Sequence, residues 1–177
     1  MGLFLYRMMG AAMLDHSMYE GIEADRSINV QTALVVLLSS LAAGFGAGGW
    51  LAGDLRLFLS LSVFALITWM MWAVLTHQIG THLLPEPATR ATLGELLRTV
   101  GFAASPGLLF VFAALPAVKV PVFAAIVAWM FVAMVVGVRH ALDYRSSSRA
   151  LAVCAIAFGL TTAVVIAVAM LVTARVS

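Results

Sequence analysis

Five long stretches of this chain contain no Asp, Glu, Lys or Arg, and they constrain its fold more than any other feature. They cover residues 27–53, 57–85, 99–118, 120–138 and 150–174. A helix rises about 1.5 Å per residue, so roughly 20 residues cross a bilayer core of about 30 Å. Each stretch is about that long or longer. Backbone groups inside lipid must pair within their own segment, which leaves helices as the natural spanning element.

The expected fold is all-α: a polytopic membrane helix bundle with five transmembrane helices and a short N-terminal amphipathic segment. Residues 1–26 form an amphipathic and acidic lead-in on the cytoplasmic side. Residues 27–177 form the membrane domain, with spans at about 28–53, 57–77, 99–117, 120–138 and 150–174. Charged residues make up 10% of the chain, against roughly 25% in an average soluble domain. The net charge of +2 comes from loop arginines. It suits an anionic lipid surface and gives no case for a nucleic-acid partner.

The loops predict an orientation. Arg7, Arg26, Arg90, Arg98, Arg139, Arg145 and Arg149 fall on one side, with Arg56, Lys119 and Arg175 on the other. The arginine-rich side faces the cytoplasm by the positive-inside rule, so the N-terminus is expected there and the C-terminus outside. Arg7 interrupts the apolar run of residues 1–14, and no small-residue cleavage site follows. A cleavable signal peptide is therefore not expected, and the first span acts as the insertion signal.

Local signals mark the element ends. Residues 2–14 have apolar positions near helical spacing, which predicts an amphipathic helix at the membrane interface. Ser17 and Glu20 have capping-box spacing ahead of a second short helix over about 18–24, and Thr92 and Glu95 repeat it before the third span. Pro85 and Pro87 end the second stretch. Pro116 and Pro121 bracket a tight hairpin between spans three and four, and Ser146, Ser147 and Ser148 supply an N-cap for span five. Asp15, Tyr19, Glu20, Glu23 and Asp25, facing Arg98 and Arg139 of the loops, are the candidate cytoplasmic interaction residues.

Glycines mark close packing. Gly44, Gly46, Gly48 and Gly49 superficially suggest a nucleotide loop, but such a loop needs a preceding strand and a water-facing helix start. Inside an apolar run they fit helix packing better. Gly101 and Ser105 are four apart, as are Ala103 and Gly107, giving small faces for tight helix contact. Pro106 removes a donor, frees the Phe102 carbonyl and kinks the third span. Gly44, Gly48, Gly101, Ser105, Pro106 and Gly107 are the candidate packing and kink positions.

No chemistry-bearing cluster stands out. His77 and His82 are five apart, about 140° around a regular helix, so they share an ion only if the chain unwinds near Gly80 and brings in Glu86. They remain weak ligand candidates for a metal, haem or pigment. Cys154 is alone within the fifth stretch and reads as a small apolar residue. Proteases, pumps and ion-coupled carriers of the membrane use polar or ionisable groups at depth. Here only Ser and Thr hydroxyls and His77 are available, so no catalytic residue, no metal site and no enzyme activity are expected. Bound lipid is the expected ligand.

A family resemblance then emerges. Arg7, Leu14-Asp15, Tyr19-Glu20 and Glu23-Ala24-Asp25 ahead of the first span resemble the N-terminal signature of bacterial Ypt-interacting-protein (YIP) domain proteins. Ile79-Gly80-Thr81, Leu83-Leu84-Pro85, the run from Gly94-Glu95-Leu96-Leu97-Arg98 to Thr99-Val100-Gly101-Phe102-Ala103, and Pro106-Gly107 resemble its central block. Arg139-His140-Ala141-Leu142-Asp143 and Arg149-Ala150 fall where the family has its loop into the last span. The resemblance implies five helices, a cytoplasmic N-terminus and an external C-terminus. Eukaryotic members interact with Rab-type GTPases, yet only about 26 residues precede the first span here, leaving little surface to grip one. Nine arginines against one lysine suit a bacterial origin.

The expected role is a non-enzymatic binding or scaffold element of a bacterial cytoplasmic membrane, engaging lipid or a membrane-protein partner, or self-associating. The alternatives are an accessory subunit of a larger pigment- or redox-bearing complex and a small permeation or carrier protein.

Overall fold

The computed structural model describes residues 2–48, 53–87, 89 and 91–176. Two short helices, α1 (Gly2–Ala12) and α2 (His16–Ala24), precede the membrane part. It is built from α3 (Asn29–Gly46), α4 (Leu55–Gln78), α5 (Leu93–Ala103), α6 (Lys119–Ala141) and α7 (Ser147–Val176). With their 3₁₀ and π extensions these give five helices long and apolar enough to cross a membrane: Arg26–Gly46, Leu55–Leu83, Leu93–Ala114, Pro116–Ala141 and Ser147–Leu171. The protein is an all-α membrane helix bundle.

The boundaries differ from the sequence expectation where glycine and proline intervene. The first span ends at Gly46, well before residue 53, and Gly48 takes a left-handed φ of 99° that only glycine adopts freely. The expected end of that run passes through residues 49–52, which with Arg90 lie outside the described residues, as does the side chain of Arg175. The second span runs past residue 77, widening into a π turn over Ile79–Leu83 before Pro85 stops it. The Pro116–Val118 turn closes the third and fourth spans into the expected hairpin.

The third span is the axis of the bundle. Within it 72% of the most apolar stretch is buried, against 17% in the second span and 22% in the fourth and fifth. Its small residues allow this, because helices in lipid associate by close packing and hydrogen bonds rather than by hydrophobic expulsion from water. A side chain on Gly101 would strike Thr32 of the first span, and one on Gly107 would stand 3.0 Å from Met130 Sδ and 3.1 Å from Ser39 Cβ. Gly44 receives Ser62 of the second span, and Gly46 receives the Phe110 carbonyl. The small faces are thus consumed inside the chain. The large exposed apolar residues, among them Val63, Ile67, Val120, Val132 and Ile166, form the lipid-facing perimeter.

At Pro106 the α-helix gives way to a 3₁₀ segment, Ser105–Ala114. The Phe102 carbonyl, deprived of its usual donor, accepts instead from the Ser105 hydroxyl at 2.5 Å. The Ala104 carbonyl accepts from Ser39 at 2.8 Å, tying the kink to the first span.

Candidate functional site

The kink opens space at the middle of the bundle. A cavity of about 470 Å³ lies between the first, second, fourth and fifth spans and the bend of the third. Its wall includes Val36, Ala65, Trp69, Trp72, Ala104, Phe110, Met130, Phe131, Phe158 and Val165. Trp69 and Thr161 lie near the middle of their spans, and from there the cavity runs past Leu61, Phe123 and Val165 toward Ala47 at the end of the first span. The wall is almost wholly carbon. The Ser39 and Ser40 hydroxyls that reach it are spent on the Ala104 and Val36 carbonyls.

Four buried side-chain polar atoms among the described residues make no hydrogen bond: the Trp69 and Trp72 indole nitrogens and the Thr76 and Thr161 hydroxyls. Trp69, Trp72 and Thr76 recur at helical spacing down one face of α4, and Thr161 belongs to α7, which packs against it. An unpaired donor in an apolar interior costs roughly 1–3 kcal/mol, and three of these four residues, Trp69, Trp72 and Thr161, border the cavity. Sequence reasoning passed over these residues because single tryptophans and threonines in apolar helices read as packing.

At one end of the bundle the polar residues form a second constellation. α1 and α2 dock on the third and fourth spans rather than standing free. Tyr19 is fully buried, and its hydroxyl lies 3.0 Å from the Ala11 carbonyl and 3.2 Å from the Ala133 carbonyl, where it donates. Burial pushes its ionisation up. Gly137 leaves room for its ring, which stacks on His140 at 5.9 Å with the planes 5° apart. His140 Nε2 is in turn 2.7 Å from His16 Nδ1, a bond that requires one imidazole to be the neutral acceptor. Trp129 Nε1 donates to the Ala12 carbonyl at 2.9 Å.

The acidic lead-in does not serve as a free face. Asp15, not Ser17, caps α2 by accepting from the Ser17 and Met18 amides, so the box expected at Ser17 and Glu20 is displaced. The Ser17 hydroxyl beside Asp15 holds its carboxyl below the usual range. Asp25 accepts from Ser27 and pairs with Arg7 at 2.8 Å, within the lead-in itself. Arg98 is buried and donates twice, at 2.6 and 3.1 Å, to the Glu23 backbone carbonyl, where a cation suits the C-terminal end of α2. Burial and the nearby Asp143 and Glu95 raise the Glu23 carboxyl to about 7. Glu20 and Arg139 line a polar cleft with His16, His140, Asp143, Tyr144 and Arg145.

The expected box at Thr92 and Glu95 is complete in both directions. Tyr144, which no motif flagged, bridges the Gly80 and Leu84 carbonyls, and burial pushes its hydroxyl up to about 12. Glu86 binds Arg149 and the Arg145 amide instead of joining His77 and His82. Those two histidines are separately engaged, His77 with the Ala91 carbonyl and His82 with the Thr81 hydroxyl. Among the described residues no three His, Cys, Asp or Glu side chains gather to hold a metal.

No family model, curated protein or solved structure matches this chain.

Proposed function

We propose that this chain is a non-enzymatic integral membrane binding element, related to the YIP proteins in arrangement, that holds an apolar, lipid-like molecule between its spans. The observation that carries this reading is the carbon-walled cavity between the spans. Its size falls in the range of roughly 300–1,000 Å³ used for small-molecule sites. Arg7, Asp25 and Arg98, by contrast, are engaged within the chain, Arg7 pairing with Asp25 and Arg98 holding the end of α2 through the Glu23 carbonyl. The loop arginines favour an orientation with the polar, helix-capped end inside the cell.

Purification at native expression level in a mild detergent, followed by native mass spectrometry and an absorption spectrum, tests the proposal. A retained apolar molecule at one per chain supports it, and Val165→Trp, which fills the cavity, should abolish retention while helical content stays unchanged. Equal retention in both proteins, or none in either, overturns it. A stoichiometric protein partner or a coloured complex would instead favour an accessory subunit of a larger assembly.

A further inference from the structure

The cavity wall has a direction and a length. It follows the first span from Val36 to Ala47, the second from Leu61 to Trp72 and the fourth from Phe123 to Met134. At a rise of 1.5 Å per residue each of these stretches covers about 16 Å. One leaflet of a hydrocarbon core of about 30 Å is about 15 Å deep. The wall thus matches a single leaflet, and it begins at Ala47, one residue beyond the end of the first span. A chain entering from the membrane surface at that end lies straight along it. Phe64, Phe123 and Phe158 of the wall are also exposed at the perimeter, so the cavity opens sideways into lipid.

Lys119 stands at that mouth. Its Nζ donates to the Ala47 carbonyl at 3.0 Å, and Phe123, one turn further along α6, belongs to the wall. Side chains four apart share a helix face, so the lysine tops the same face of the fourth span that lines the cavity. It is exposed, and among the described residues its amine meets only the Ala47 carbonyl. An ammonium has three donors, which leaves two for an anionic oxygen. A free hydrocarbon would fill the wall and leave the lysine unused. An acyl chain tethered to a phosphate engages both.

We infer that the cavity holds one acyl chain of an anionic phospholipid, with the phosphate on Lys119. The lipid belongs to the leaflet away from α2, which packs at the other end of the fourth span through His140. The inference rests on the reading of the cavity as an apolar-ligand site and adds to it a headgroup and an orientation. A zwitterionic headgroup carries its own ammonium beside the phosphate, which offsets the attraction. A net-negative lipid is therefore preferred, by about fivefold for one basic side chain at the membrane surface.

The test takes the full chain, stripped of lipid in detergent, and titrates it in native mass spectrometry with dioleoyl-phosphatidylglycerol, dioleoyl-phosphatidylcholine or oleate. Phosphatidylglycerol should bind at one per chain, about fivefold more tightly than phosphatidylcholine. Lys119→Gln should remove that preference and leave phosphatidylcholine unchanged, whereas Lys119→Arg, which keeps the charge, should retain it. A phosphatidylglycerol carrying a mid-chain diazirine should label the wall at Val127 or Met130, and Val165→Trp should suppress the label. Equal binding of the two phospholipids, unchanged by Lys119→Gln and with the label still in the wall, would overturn the headgroup assignment and leave the apolar-ligand reading standing. Oleate binding as tightly as phosphatidylglycerol would overturn the phospholipid assignment alone. Label spread over the outer faces at Val63, Val132 and Ile166, and unaffected by Val165→Trp, would overturn both.

Discussion

The Tyr144 hydroxyl lies 2.9 Å from the Gly80 carbonyl, buried at the point where the second span widens from an α-helix to a π turn. It also reaches the Leu84 carbonyl at 2.8 Å, so one phenol on the link between the fourth and fifth spans closes the end of the second. A π turn misaligns the carbonyls of the helix it interrupts, and a side-chain donor from elsewhere satisfies them. A Cβ at Gly80 would press on a terminal methyl of Leu142, so the absent side chain lets that residue pack against the turn.

Tyr144→Phe should therefore destabilise the bundle by about 1–3 kcal/mol, the cost of leaving buried carbonyls without a donor. Thermal unfolding in detergent reads this. A melting temperature equal to that of the unmodified protein would remove the bond from the account.

Tyr19→Phe should loosen the N-terminal helices without unfolding the spans. The phenol is the shared donor to Ala11 in α1 and Ala133 in the fourth span, and its loss should cost about 1–2 kcal/mol locally. Amide exchange in α1 should rise while exchange in the fifth span stays constant. A uniform rise across the protein would contradict the local latch.

Two glycine substitutions should behave oppositely. Gly101→Ala places a methyl against Thr32 at the packed seam of the first and third spans, and overpacking there should cost about 1–3 kcal/mol. Gly159→Ala on the fifth span meets open space, so only helix propensity acts, and stability should hold or rise by up to about 1 kcal/mol. Equal effects at both positions would mean that the seam does not set the third span's place.

Stability should fall as pH rises through neutrality, owing to Glu23. Its carboxyl in the folded protein titrates at about 7, above its ordinary value, first because of burial and then because of Asp143 and Glu95. The folded state thus holds a proton that the unfolded state releases. The contribution is present in full below the ordinary carboxylate range and is lost as pH rises to about 7 and beyond. Melting temperatures recorded from pH 5 to 8.5 should decline, and Glu23→Gln should flatten the decline. A slope unchanged by the substitution would assign it to another group.

The local signals were legible where they depend on neighbours in sequence. Thr92 and Glu95 form their box because both partners lie within one helical turn. Pro106 breaks the α ladder wherever it stands, and the nearby Ser105 takes up the freed carbonyl. The Ser17 cap failed for an equally local reason: Asp15, two residues earlier, accepts from both the amide and the hydroxyl of Ser17 and starts the helix there. The helix does widen at Gly80, into the π turn that contains His82, yet no joint site forms: His77 lies against the Ala91 carbonyl, His82 against the Thr81 hydroxyl, and Glu86 is taken by Arg149.

Hydropathy and charge spacing by themselves determined the class of this protein, its five crossings and the approximate place of each turn, because a bilayer imposes one length and one polarity on every segment that crosses it. Tertiary structure alone decided that the third span is the axis, that the small-residue faces are used up within the chain, and that Trp69, Trp72 and Thr161 meet around one cavity. In lipid the apolar faces of a helix are nearly equivalent to its surroundings, so pattern does not tell which face turns inward. Close packing and the pairing of a few polar atoms make that choice, and both depend on residues far apart in the chain.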